Sequence, residues 1–269
     1  MKKFTQLTMV FTMTALSTWA VAEQTQQPSV YQEAYAQYML KHPEKSAQSS
    51  KALTENFIQD YQDGFKNNKK INEQEFVQFE QEQLAELMKK RREMSLKQTY
   101  VRYGILDANK DQKLTLKEFQ EIALKSFSEF DKDQDGMVSS SDIQLAKGNA
   151  TATHDGFRLR LPISMPMANN PTEFIRQYGQ GKAYASLGDY LTGRDQQFFA
   201  TDRNQDFIVS EQEYVDEFMQ RYDRNTVEGL EKMKALSARK FKAMSNGKAY
   251  IQVSDIQKFS QKMDREISQ

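Results

Sequence analysis

Apolar side chains recur at helical spacing along most of the chain from residue 52 onward. The pattern predicts a long helix over residues 73–102, a shorter helix over 119–130 and a return to helix over 172–195. Short polar segments separate these helices, and several of them carry one isolated apolar residue just before the next helix. We therefore expect an all-α fold built from helix–loop–helix repeats.

The polar segment at residues 107–118, here called the 107 loop, spaces its oxygen-bearing side chains regularly. A calcium ion takes about six to eight oxygen ligands, and a tight twelve-residue loop can supply them from positions 1, 3, 5, 7, 9 and 12. Leu114 at position 8 is the apolar residue that lets two such loops form a short β-bridge. The ligand positions hold Asp107, Asn109, Asp111, the carbonyl of Lys113, Thr115 and Glu118.

Two further segments have the same spacing, the 131 loop (residues 131–142) and the 202 loop (residues 202–213). The 131 loop ends in Asp142, which is one methylene shorter than glutamate, and this favours fewer ligands and makes magnesium possible there. The candidate ligands of the 131 loop are Asp131, Asp133, Asp135, the carbonyl of Met137, Ser139 and Asp142. Those of the 202 loop are Asp202, Asn204, Asp206, the carbonyl of Ile208, Ser210 and Glu213.

Position 6 of such a loop needs a positive φ, which glycine adopts most easily. Gly136 meets this need in the 131 loop, whereas Gln112 and Phe207 occupy the position in the other two loops. Gln112 is expected to cost about 1 kcal/mol of backbone strain, which weakens its site without abolishing it. Phe207 is expected to cost about 1–2 kcal/mol or to force an altered turn.

The three loops resemble the calcium loops of the EF-hand superfamily, and the tight spacing of the first two is similar to that in exported bacterial members. The resemblance covers most of residues 52–259 and implies helix–loop–helix units with calcium as the cofactor. Two more segments match only its later positions. The 64 segment (residues 64–75) has Gly64, Lys66 and Asn68 where carboxylates belong, and the 245 segment (residues 245–255) has lost its early carboxylates. Both are predicted to be vestigial hands that bind no cation.

An internal repeat suggests how the units are arranged. Residues 71–77 (INEQEFV) return as residues 209–215 (VSEQEYV), so the second half of the chain begins as the first does. We expect two lobes, residues 52–146 and 183–269, joined by a crossover linker at 147–182. Within each lobe one complete loop would form a β-bridge with one vestigial hand, the 107 loop with the 64 segment and the 202 loop with the 245 segment. The 131 loop would be an additional hand.

The N-terminal part of the chain points to export. Residues 1–22 have two early lysines, an apolar stretch and a small-x-small cleavage site, which together predict a signal peptide. The alternative is a retained membrane anchor, but the stretch is short and polar for a span. The expected location is the periplasm, with no stable membrane span after cleavage. Residues 23–51 are predicted to be a mostly flexible leader with one helix around residues 31–40.

Composition narrows the possible functions. Basic and acidic residues number 37 each, which does not favour nucleic-acid binding, and the absence of cysteine excludes disulfides. The two histidines, His42 and His154, lie in predicted flexible segments, and no nucleophile motif or phosphate loop is present, so we expect no enzyme.

Three roles remain open. A calcium buffer or sensor could hold an unidentified envelope protein in a groove of Met and Phe side chains. A structural or interaction protein of the cell envelope could carry constitutive or partly vestigial calcium sites. An enzyme subunit or inhibitor could act through the crossover, where residues 157–163 read as a short strand or an extended segment lying on the helices.

Overall fold

The computed structural model describes residues 28–43, 50–65, 70–147 and 161–268. Nine helices lie in these ranges: α1 (Val30–Lys41), α2 (Ser50–Phe65), α3 (Glu73–Leu106), α4 (Leu116–Ser128), α5 (Ser140–Lys147), α6 (Pro171–Tyr178), α7 (Leu187–Thr201), α8 (Glu211–Ser245) and α9 (Val253–Ile267). Six two-residue strands lie between them: β1 (Ile71–Asn72), β2 (Leu114–Thr115), β3 (Met137–Val138), β4 (Ala185–Ser186), β5 (Ile208–Val209) and β6 (Tyr250–Ile251). The expected mostly helical fold with short strand pairs is confirmed.

Local sequence sets the points at which the strands give way to helices. The side chain of Asn72 accepts a hydrogen bond from the backbone of Glu75, and Glu75 accepts one from the backbone of Asn72. This reciprocal capping satisfies two backbone N–H groups that have no partner inside the helix. Thr115 and Ser210 cap α4 and α8 in the same way. Each strand is therefore followed at once by a well-defined helix start.

The strands pair across the two halves of the chain. β1 pairs with β6, β2 with β5 and β3 with β4, all antiparallel. The central residues face each other as Ile71 with Ile251, Leu114 with Val209 and Val138 with Ala185, and all six side chains are buried. The pairing is thus nested, with the first strand joined to the last.

The prediction that bridges form within each half is wrong. α3 has 34 residues and therefore extends about 51 Å, which keeps β1 and β2 far apart. α8, with 35 residues, separates β5 from β6 in the same way. Because α3 runs from the β1–β6 pair to the β2–β5 pair and α8 runs back, the two helices pack antiparallel along each other. The boundaries predicted for the lobes and the linker remain predictions.

Two predicted helices are confirmed and a third is interrupted. α3 covers the long helix expected at 73–102, and α4 covers most of the helix expected at 119–130. The helix expected over 172–195 is broken, since α6 ends at Tyr178 and β4 precedes α7. The backbone turns where Gln180 and Gly181 both have positive φ. A sixth strand-bearing segment, residues 178–189, therefore exists where continuous helix was expected.

The leader and the crossover both contribute to the core. The helix expected around residues 31–40 is confirmed as α1, but this part of the leader is not flexible, because Ala34, Tyr35 and Tyr38 are buried against α2 and α9. Residues 1–22, the predicted signal peptide, lie outside the described residues, as do 148–160 of the crossover. Its described end lies on the helices, since Leu161 and Ile163 are buried among side chains of α3 and α8. Residues 161–164 form a turn there, in which the Ser164 N–H donates to the Leu161 carbonyl at 2.9 Å.

A buried ion pair ties four helices together beside the β1–β6 pair. Lys240 Nζ of α8 lies 2.6 Å from Glu80 Oε2 of α3, and both side chains are almost fully buried. Gln37 of α1 and Tyr61 of α2 also donate to the Glu80 carboxylate, at 3.0 and 2.8 Å. Burial, the largest single effect, raises the pKa of Glu80, but the charge and hydrogen bond of Lys240 together with Lys41 and Tyr61 outweigh it and lower the pKa to about 2.

In the described ranges no helix combines the length and the apolar character needed to cross a membrane.

We expect Glu80→Gln to lower the free energy of unfolding by about 3–5 kcal/mol, because Lys240 would stay buried without a counter-charge. The double variant Glu80→Leu with Lys240→Met should recover most of this loss, since it removes both charges. Asp223→Asn is the control: it breaks the half-exposed Arg92–Asp223 pair and should cost less than about 1 kcal/mol. Urea unfolding measures the stability of all three variants. Equal losses of stability in Glu80→Gln and Asp223→Asn would contradict the view that the buried pair stabilises the fold.

The same pair predicts a pH dependence. The pKa of Glu80 in the folded protein lies below its ordinary value of 4.5, so the stabilisation is complete above about pH 4.5 and is lost as pH falls toward 2. The double variant lacks the Glu80 carboxyl group, so its melting temperature should fall less as the pH is lowered from about 4.5 toward 2. Thermal melting at a series of pH values measures this difference.

The backbone of Ile163 lies so close to Gly229 of α8 that a Cβ on Gly229 would be 2.5 Å from the Cα of Ile163. Gly229→Ala should therefore destabilise the protein by about 1–3 kcal/mol despite the better helix propensity of alanine. Gly104→Ala in α3 meets open space and should stabilise by about 0.5–1 kcal/mol. Thermal melting of the two variants should give shifts of opposite sign, and two upward shifts would show that residues 161–163 can move away.

Candidate metal sites

The 131 loop gathers three carboxylates at one point. One oxygen from each of Asp131, Asp133 and Asp142 lies within 4.8 Å of the others. Asp131 and Asp142 are buried, and Asp133 is exposed. In the part of the chain that the structure describes, this is the group of three acidic side chains close enough to hold one metal ion. An all-oxygen donor set of this kind suits a hard divalent cation such as calcium or magnesium.

Backbone hydrogen bonds hold the first carboxylate of this loop in place. Asp131 Oδ1 accepts from the amide of Asp135 at 3.2 Å, and Asp131 Oδ2 accepts from the amide of Gly136 at 3.1 Å. Asp135 Oδ1 accepts from the amide of Met137 at 2.8 Å. The loop therefore wraps around its own first carboxylate.

The 107 and 202 loops repeat this wrapping. Asp107 Oδ2 accepts from the amide of Gln112 at 2.9 Å, and Asp202 Oδ2 accepts from the amide of Phe207 at the same distance. The side chains of Asn109 and Asn204 each accept from the amide two residues later. Asp107 and Asp202 are buried like Asp131. The three loops thus share one backbone framework, but among the described residues three carboxylates come within 4.8 Å of one another in the 131 loop and not in the 107 or 202 loop.

The acidic residue at position 12 has a structural role in all six strand-bearing segments. Its carboxylate accepts from the backbone N–H at position 9 at distances between 2.7 and 3.0 Å. The carboxylates are Glu75, Glu118, Asp142, Asp189, Glu213 and Asp255. Capping of the following helix therefore explains this residue without any metal, and position 12 alone does not identify a site.

The second oxygen of that carboxylate separates two classes of segment. In the 107, 131 and 202 loops it faces the start of the loop and accepts from a backbone amide there, as when Asp142 Oδ1 accepts from Lys132 at 2.6 Å. In residues 178–189 and in the 245 segment it meets a lysine instead. Lys182 Nζ donates to Asp189 Oδ1 at 2.7 Å, and Lys248 Nζ donates to Asp255 Oδ1 at 2.6 Å.

Each of these lysines places a positive charge beside the aspartate that closes its segment. The pKa of Asp189 falls to about 2 because Lys182 donates to it, with help from Ser186. The two segments have this internal counter-charge and carry no further carboxylates at the early positions. The vestigial hand at the 245 segment stays a prediction. Residues 66–69 of the 64 segment lie outside the described residues.

A sequence signal could have revealed the segment at 178–189. Gly181-Lys182-Ala183-Tyr184 returns as Gly247-Lys248-Ala249-Tyr250, and each copy is followed at the same spacing by its capping aspartate. The first copy directly precedes β4, and the second ends in β6. Residues 178–189 keep only an apolar residue at position 8 and an aspartate at position 12, and the shared Gly-Lys-Ala-Tyr is the signal that relates them to the 245 segment.

Hydrogen bonding keeps the candidate ligands ionised. Burial acts to raise the pKa of Glu118 and Glu213, yet donors at Thr115 and Ser210 lower both pKa values overall. The hydroxyl of Ser141 donates to Asp133 at 2.7 Å and lowers the pKa of that carboxyl. These carboxylates are therefore charged and ready to bind a cation at neutral pH.

The predicted backbone strain at position 6 is present. Gln112 has φ of 63° and Phe207 has φ of 65°, whereas Gly136 adopts 85° without a side chain. Phe207 is 71% exposed, and its ring meets the ring of Phe199 edge to face at 6.4 Å. An exposed aromatic side chain thus sits on a backbone conformation that disfavours it.

We expect Phe207→Gly to raise the free energy of unfolding by about 0.5–1 kcal/mol, because relief of the left-handed strain exceeds the entropy that glycine loses on folding. Phe199→Gly is the matched control: it removes the same ring contact but places glycine inside α7, and should lower stability by about 0.5 kcal/mol. Chemical unfolding of both variants tests this, and a loss of stability in Phe207→Gly would show that the ring contact outweighs the strain.

Comparisons of this chain with protein families, with curated proteins and with solved structures found no match, so these sites stand on their geometry alone.

Proposed function

We propose that this protein binds calcium through three EF-hand-type loops, the 107, 131 and 202 loops, and acts as a calcium buffer or sensor. The observation that carries the proposal is the convergence of Asp131, Asp133 and Asp142 within 4.8 Å. Like charges held this close repel one another, and Asp131 and Asp142 are also shielded from water. A divalent cation would remove that repulsion and use the free lone pairs.

The other two loops support the same function by analogy of geometry. Each wraps its buried first aspartate with the amides at positions 5 and 6, as the 131 loop does. Each also carries a glutamate at position 12, which can bind calcium through both oxygens. The shorter Asp142 makes magnesium a competitor at the 131 loop, whereas the other two loops favour calcium.

The two segments with lysine–aspartate pairs support the proposal by contrast. They keep the strand and the helix cap of the loops but replace the ligand set with an internal ammonium group. One strand pair joins a segment of each class, because β3 of the 131 loop pairs with β4 of residues 178–189. The β2–β5 pair instead joins two loops of the same class, the 107 and 202 loops. We infer two coupled calcium sites at the β2–β5 pair and one separate site at the β3–β4 pair.

A structural role is the second candidate, and the cross-half pairing favours it. Each calcium-bearing strand joins residues from opposite halves of the chain, so a bound cation would hold the halves together. With roughly millimolar calcium and affinities of about 10⁻⁴–10⁻³ M, each site would add at most about 1.5 kcal/mol of stability. A sensor would change shape when it binds calcium, which small-angle scattering detects. A structural protein would keep its shape and only melt at a higher temperature, which melting curves detect.

The direct test is calorimetric calcium titration of the chelator-treated protein and of the variants Glu118→Gln, Asp142→Asn and Glu213→Gln. Glutamine can still cap a helix, so these changes remove ligand charge with little effect on folding. Three sites are expected in the parent, with one lost in each variant. Excess magnesium should suppress binding at the 131 loop more than at the other two.

Glu75→Gln is the matched control, because Glu75 has the same capping contact in a segment without early carboxylates. It should leave all three sites intact. Absence of heat and of any melting shift at millimolar calcium would refute the proposal. If the control variant lost as much binding as the others, the loops would not be the sites.

A further inference from the structure

A cleft of about 440 Å³ opens between the β2–β5 and β3–β4 pairs. Its walls come from the end of α3, from α4, α6 and α7, and from the beginning of α8. Residues 166–168 of the crossover close one side. The size falls within the range of about 300–1,000 Å³ that is typical of small-molecule sites.

The floor of the cleft is apolar and its mouth is partly open. Phe119 and Phe174 are buried and lie at the bottom, while Ile105 and Met167 are 60% and 56% exposed at the rim. A water-filled apolar cleft of this size gains free energy when an apolar group replaces the water. The walls therefore favour a ligand with a hydrocarbon body.

Three arginines also line the cleft: Arg102, Arg194 and Arg221. Arg221 has its own counter-ion, Glu217, at 2.9 Å. No described carboxylate forms an ion pair with Arg102 or Arg194. Arg194 donates to the neutral side chain of Gln197, and its Nε is buried without a hydrogen-bond partner. Two guanidinium groups in the cleft wall thus lack an anion.

Aromatic faces hold these guanidinium groups in position. The Cζ of Arg194 lies 4.1 Å from the ring centre of Phe119, and that of Arg102 lies 5.6 Å from the ring centre of Phe218. The Cζ of Arg221 lies 5.3 Å from the centre of the same Phe218 ring. The three guanidinium groups are therefore held against aromatic rings that line the cleft.

We propose that this cleft binds an anionic amphiphile, a single-chain carboxylate of the fatty-acid type, with its head at Arg102 and Arg194 and its chain over Phe119 and Phe174. A neutral hydrocarbon would leave the buried Arg194 Nε without an acceptor, whereas a carboxylate supplies one in a charge-assisted bond. The proposal does not depend on cation binding, although α3 and α7, which carry the two arginines, lead directly into the 107 and 202 loops.

The test is calorimetry with four probes, each below its micelle concentration or solubility limit: decanoate, dodecanoate, decanol and decyltrimethylammonium. A chelator is present first, because calcium precipitates long-chain carboxylates. Decanoate should bind at least about tenfold more tightly than decanol, and the ammonium compound should bind most weakly. Each methylene added up to dodecanoate should tighten binding about fourfold until the cleft is full.

Arg102→Gln should remove most of the preference for decanoate over decanol while decanol binding stays unchanged. Arg224→Gln, an exposed arginine on the same helix as Arg221 but outside the cleft, is the matched control and should change nothing. Since Arg194 packs on Phe119, its variant is Arg194→Lys, which keeps the charge but loses the fork and should weaken decanoate alone.

Equal affinity for decanoate and decanol would overturn the anionic part of the proposal, and no binding of any probe would overturn it entirely. A glutamate-rich peptide that displaced dodecanoate would assign the cleft to acidic peptides instead. Calcium titration separates this proposal from the calcium proposal, because a protein that binds decanoate but no calcium, or the reverse, refutes only one of them.

Discussion

The architecture depends on a requirement of backbone hydrogen bonding. A two-residue strand buried beside a helix start must find a partner strand, because its backbone amides and carbonyls have no water to bind. All six strands meet this requirement by pairing across the crossover at 147–182, β1 with β6, β2 with β5 and β3 with β4. The pairing in turn sets the antiparallel packing of α3 on α8 and of α4 on α7. The cleft and the candidate metal sites follow from it, since the helices that line and connect them are held by these pairs.

Much of the local structure could be read from the sequence, and the long-range arrangement could not. Periodicity found α3, α4 and α1, and the apolar residue at position 8 of the 107, 131 and 202 loops located β2, β3 and β5. Which strands pair is a different question, because every strand offers the same signal, one buried apolar residue. The repeat of residues 71–77 at 209–215 suggested two equivalent halves, yet the geometry of a helix about 51 Å long rules out pairing between its own ends.

At the candidate sites, too, the sequence predicts the local framework but not how its parts are used. Every predicted ligand position lies in a loop whose backbone wraps the first aspartate, so spacing alone gave the framework. Spacing could not separate a carboxylate that caps a helix from one that also faces a cation, since position 12 does the first in all six segments. It also gave no indication that Lys182 and Lys248 occupy the place of a cation beside Asp189 and Asp255. The sequence shows such lysines only as surface charge.

The nested pairing also orders the assembly of the molecule. β3 and β4 are closest in sequence, so the loop they close is the shortest and loses the least entropy. Once they meet, α4 and α7 lie side by side and bring β2 and β5 together, and α3 and α8 then do the same for β1 and β6. Folding is thus expected to begin at the β3–β4 pair and to proceed outward along the chain. α1 packs on α8 and α9 and is therefore expected to fold last. During synthesis, this N-terminal helix can pack only after the C-terminal helix has been made.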